Sequence, residues 1–109
     1  MQYPTDRQPF SLWQLSICQD CKLDLVTTMA IMLMMIDLDS KHWGPKINIS
    51  CVACIRLAYK WIEDMPLDST FKILNHHLTL LHYKASDINW FTEEALVFKD
   101  LDWSISKYF

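Results

Sequence analysis

The stretch Asn48-Ile49-Ser50-Cys51-Val52-Ala53-Cys54-Ile55-Arg56-Leu57-Ala58-Tyr59-Lys60-Trp61-Ile62-Glu63-Asp64-Met65-Pro66 decides how this chain is read. Ile49, Val52, Ala53, Ile55, Leu57, Ala58 and Trp61 recur at helical spacing, opened by Asn48 or Ser50. Pro66 ends the segment, because proline has no N–H to continue the ladder. Ala53 and Ala58 are small where neighbouring helices must come close. Such a helix is expected at the centre of a bundle.

The segments on either side carry the same period. Pro9 suits a first helical turn, and Phe10, Trp13, Ile17 and Cys21 follow on one face. Asp24 is placed to cap a second helix, whose run Val26–Ile36 is apolar nearly all round. A helix apolar on every side predicts burial inside the bundle. Gly44-Pro45 is a stop. Beyond Pro66, Asp68 caps a fourth helix carrying Phe71, Ile73, Leu74, Leu78, Leu80 and Leu81. Ser86 caps a fifth, with Trp90, Phe91, Ala95, Leu96, Phe98 and Leu101 recurring before Trp103. Five helices with short connections predict one all-α domain over residues 1–109, built around the third helix.

Composition agrees. There is one glycine, Gly44, among 109 residues, too few for the turns that several hairpins would need. An apolar fraction of 51% is ample for one core and argues against disorder. A net charge of −3, with no run of Lys and Arg, excludes a concentrated basic face for nucleic acid. The most apolar run stops at Asp37, short of the ~20 residues that a membrane span requires. No basic segment followed by an apolar one stands at the N-terminus, so no signal peptide is expected. The expectation is a soluble, intracellular protein with reduced cysteines.

Four groups of residues invite a chemical reading. The pairs Cys18/Cys21 and Cys51/Cys54 are C-x-x-C motifs, and four thiolates could hold a zinc ion. Their separation is longer than a zinc ribbon's, neither lies in a glycine knuckle, and both fit helical periodicity, so buried core thiols and no metal are expected. His76, His77 and His82 lack the i, i+4 spacing of a metal pair and read as a solvated helix end. Six methionines, most of them in the second helix, read as core packing rather than as an adaptable groove. No nucleophile elbow, phosphate loop or metalloprotease motif is present, and the scattered carboxylates read as solubilising charge. No enzyme activity and no cofactor are expected.

With five helices in place, the run from Ala53 to Pro66 resembles the most characteristic stretch of the cyclin box: a small-residue helix leading into Ala-x-Lys, an aromatic, acidic residues and Pro. Arg7, Phe10 and Trp13 are similar to the Arg, Leu and Trp of that family's first-helix motif. Ile36-Asp37 is similar to the pair closing its second helix. Glu94-Ala95-Leu96 and Leu101-Asp102-Trp103 are similar to its fifth helix and ending. The resemblance spans about Arg7 to Ile105.

That resemblance implies a five-helix cyclin-box bundle that binds a cyclin-dependent kinase in the nucleus and cytoplasm and leaves the chemistry to the kinase. Lys60 matches the family's kinase-contacting lysine, and Glu94 its partner on the fifth helix; together they are implied to hold the backbone of the kinase's mobile helix. That helix must be placed for its Glu to pair with the catalytic Lys. Arg7, Phe10, Trp13 and Asn48 fall where the family has a substrate-docking patch. The chain reads Asp6-Arg7-Gln8-Pro9-Phe10 where the family has Met-Arg-Ala-Ile-Leu, and Asn48 where a Gln often lies. Two other classes stay open: a cyclin-fold scaffold for a non-kinase partner, and a small zinc-binding helical protein.

Overall fold

A computed structural model of the protein describes residues 12–39, 46–62 and 68–109. Five α-helices follow one another: α1 Leu12–Asp20, α2 Leu25–Asp39, α3 Lys46–Trp61, α4 Asp68–Leu80 and α5 Trp90–Asp100. Two 3-10 turns, Ala85–Asp87 and Ser106–Tyr108, precede and follow α5. No strand occurs among the described residues. The fold is all-α.

The helix ends follow from local chemistry. Asp24 accepts the Thr27 backbone N–H at 2.7 Å, capping α2 as its position suggests. That bond holds the Asp24 carboxyl below its ordinary value. Helix α5 is capped by Asn89, whose side chain accepts from the Thr92 N–H at 3.2 Å, and not by Ser86, which lies in the preceding 3-10 turn. Both residue types cap helices, so only the register of the turn separates them. Three helices close through left-handed residues without glycine: Lys22 after α1 (φ 56°), His82 after α4 (φ 67°), and Asp102 and Trp103 after α5 (φ 58° and 59°). Each exit has paired return bonds, such as Tyr83 N–H to Leu78 O at 3.0 Å and His82 N–H to Thr79 O at 2.9 Å.

Helix α3 is the central element, with α2 against one side, α5 against another, and α1 in contact as well. Ser50 through Ile55 are consecutively buried, and so are Ala58 and Tyr59. Leu57 is half buried against the same core. Cys18, Cys21, Cys51 and Cys54 are all buried and free, on α1, the turn after it, and α3. Burial pushes the Cys18 thiol up to about 12 and the Cys21 thiol to about 11. Cys51 and Cys54 are raised further by burial, then by the neighbouring thiols.

Helix α2 departs from the expectation of burial on every side. Ala30, Ile31, Met34, Met35 and Leu38 are fully buried, but Val26, Met29, Leu33 and Ile36 form an outward stripe and are each about half exposed. The methionines divide likewise, Met34 and Met35 inward, Met29 and Met32 outward. α2 lies on the flank of α3, so one of its faces packs and the other does not. α5 shows the same selection: Glu94, Val97 and Leu101 point inward, whereas Phe91 is 85% exposed and Ala95 and Leu96 face outward.

Candidate functional site

Lys60 lies in the last turn of α3 and Glu94 in the first half of α5, and the packing of those helices brings them into direct contact. The Lys60 ammonium donates to Oε1 of Glu94. The second carboxylate oxygen, Oε2, accepts from Nε of Arg56 at 2.7 Å. Arg56 stands one turn before Lys60, and that i, i+4 spacing puts both cations on the same face of α3. The Glu94 side chain is only 7% exposed, against 60% for Lys60. Glu94 is therefore a buried anchor rather than a solubilising surface charge. One carboxylate ties the end of α3 to α5 with two charge-assisted hydrogen bonds.

Arg56 is the residue that sequence reasoning passed over. Its guanidinium carbon lies 4.9 Å from the Phe71 ring centroid and 5.0 Å from that of Trp90. An Arg whose neighbours at i+1 and i+2 are Leu and Ala is an unusual tenant of a packed helix, and that oddity was the available signal.

Exposed apolar side chains lie at the ends of the two helices that the bridge joins. Trp61 and Ile62, which follow Lys60, are 48% and 39% exposed, and Trp103 is 61% exposed. Trp103 packs edge-on against Phe98 at 5.5 Å between centroids, and Phe98 is one helical turn beyond Glu94. Phe109 stacks on Trp61 at 6.2 Å, so the end of the described chain returns to α3. Tyr108 donates its hydroxyl to Asp37 on α2; burial and that bond raise the Tyr108 phenol well above its ordinary value.

Arg7 and Phe10 lie outside the described residues. Trp13, on α1, and Asn48, near the start of α3, are both half buried. Trp13 meets His77 of α4 edge-on at 6.1 Å. His77 is buried, not solvated, and its Nε2 bonds Oδ2 of Asp20 at 2.7 Å, joining α4 to α1. His76 and His82 are exposed, so only one of the three histidines belongs to the interior. The Trp13 Nε1 and the His77 Nδ1 are buried without a hydrogen-bond partner among the described residues. Among those residues no three His, Cys, Asp or Glu side chains are grouped to hold a metal ion. No helix there is long and apolar enough to cross a membrane.

Comparison with protein-family models, with curated proteins and with solved structures found no match.

Proposed function

We propose that this chain is a cyclin-like regulatory module that binds a cyclin-dependent kinase, with Lys60 and Glu94 as its contact residues and no chemistry of its own. The observation carrying this reading is the α3–α5 bridge, a partly exposed ammonium on a buried carboxylate, with exposed Trp61, Ile62 and Trp103 at the ends of the same two helices. The Lys60 ammonium has three N–H donors and spends one on Glu94, which leaves two for the carbonyls of a partner's helix. Each Glu94 oxygen has a further lone pair for an N–H. The tryptophans supply the desolvated aromatic contact typical of binding hot spots. Binding that favours only the active placement of the kinase's mobile helix would shift its population, and that shift is the whole of the regulatory act.

The test is capture of purified cyclin-dependent kinases by this chain, followed by affinity measurements on Lys60→Ala. Losing one partner of a charge pair desolvated on binding costs ~2–5 kcal/mol, so affinity is expected to fall by tens of fold or more. Thermal stability should barely change, because Lys60 is largely exposed. Failure to capture any kinase refutes the reading. A captured kinase that binds Lys60→Ala as tightly as the parent refutes the contact.

A further inference from the structure

Beside the bridge, at Arg56, α3, α4, α5 and the Ala85–Asp87 turn leave a surface cavity of about 400 Å³. It is lined by Arg56, Phe71, Asn75, Ala85, Ser86 and Trp90. We propose that this cavity recognises an anionic peptide side chain, a carboxylate or phosphate carried on a flat or apolar stem. The proposal does not rest on the kinase reading.

The lining dictates the ligand's chemistry. A guanidinium has five N–H donors in a fixed plane, and Arg56 commits only its Nε–H to Glu94. Four donors remain on the two terminal nitrogens. Phe71 and Trp90, each about 5 Å from the guanidinium carbon, hold the group in place before any ligand arrives. Little ordering is then left to do on binding. The Asn75 amide adds two N–H donors and the Ser86 hydroxyl one, neither group engaged with another described side chain. Among the described residues no carboxylate lines the cavity. Arg56 and Lys60 share the one Glu94 carboxylate, so the cluster keeps one positive charge in surplus.

Other ligand classes fit worse. A cation meets the surplus positive charge. A neutral apolar group would cover the Arg56 terminal N–H donors without replacing their hydrogen bonds, and unsatisfied donors are costly. A bare anion can meet the donors but leaves the Phe71 and Trp90 rings that line the cavity uncovered. A carboxylate or phosphate matches the guanidinium fork, while Phe71, Trp90 and Ala85 accommodate the carbon atoms behind it.

Three probes test this by NMR on the whole chain: phenyl phosphate, 3-phenylpropanoate and the neutral 3-phenylpropanamide. The two anions should shift the Trp90 indole and Asn75 side-chain signals with roughly millimolar dissociation constants, as expected for ligands of this size. The tighter anion identifies the group that the site prefers. Arg56→Gln should weaken anion binding at least tenfold. Asn75→Asp, on the exposed face of α4, should do the same by placing a negative charge in the cavity without touching the core. Silence of Trp90 and Asn75 toward both anions overturns the proposal. So does equal binding of the neutral amide, or unchanged phenyl phosphate binding by Asn75→Asp. No kinase is present in this experiment, so its failure and that of the kinase reading are separate results.

Discussion

Replacing Glu94 with Gln keeps the shape of the side chain and removes its charge, which makes it the sharpest probe of the α3–α5 bridge. The amide has one oxygen to accept with, and its NH2 would face one of the two cations. In the parent, Oε2 receives Arg56 at 2.7 Å and Oε1 receives Lys60, with the carboxylate 7% exposed and Arg56 21% exposed. Breaking a fully buried ion pair costs ~3–5 kcal/mol, and a hydrogen bond to a charged group contributes ~1.5–3 kcal/mol. Arg56 reaches some solvent and keeps its contacts with Phe71 and Trp90, which lowers the cost. The expected loss is about 2–3 kcal/mol. Lys60→Ala removes an ammonium that is 60% exposed, so it should cost no more than about 1 kcal/mol. Urea unfolding followed by circular dichroism measures both losses, and in a thermal melt of a domain of this size Glu94→Gln should lower Tm by roughly 10–20 °C. If Glu94→Gln lies within ~0.5 kcal/mol of the parent, or if Lys60→Ala is equally damaging, the carboxylate is not a buried anchor. The asymmetry also means that a loss of partner binding in a Glu94 variant mixes two causes, whereas one in Lys60→Ala does not.

Two further outcomes follow from the helix ends and the thiols. Lys22→Gly and His82→Gly relieve non-glycine residues held at φ 56° and 67°; relief of ~1–2 kcal/mol, less the entropy glycine adds to the unfolded chain, leaves a net gain of about 0.5–1 kcal/mol each in the same urea assay. Any loss of stability would contradict the left-handed closure. Cys18 and Cys21 hold their protons more tightly in the fold than in the unfolded chain, so their contribution is fully present below the ordinary value of 9.0 and is lost as pH rises toward 11–12. Unfolding midpoints should therefore stay level through neutral pH and fall above about pH 9. A thiol reagent at pH 7.5 should label the protein only in urea, and rapid labelling without denaturant would refute the burial.

Much of the architecture was legible in one dimension because its signals are local. A single glycine, cap residues such as Asp24, and the small-residue period of α3 each act within a turn or two of chain, and they lead to an all-helical domain with α3 at its centre. The proximity of Lys60 and Glu94 came from a resemblance rather than from any spacing, since 34 residues separate them. What the pair is made of was not legible. Glu94 in the first half of α5 looks like any solvated carboxylate until α3 brings Arg56 to its second oxygen.

Tertiary packing settled the rest. His77 looked like part of an exposed histidine cluster, and only the meeting of α4 with α1 buries it against Trp13 and pairs it with Asp20, 57 residues away. Helix α2 is the plainest case. An amphipathic helix announces its inner face through its pattern, but Val26–Ile36 is apolar on every side and carries no such pattern. The sequence by itself determined that α2 is a helix and where it starts. Which stripe is core and which faces outward depended on the direction from which α3 approaches, because burial is a property of the space a neighbour occupies and not of the residue alone.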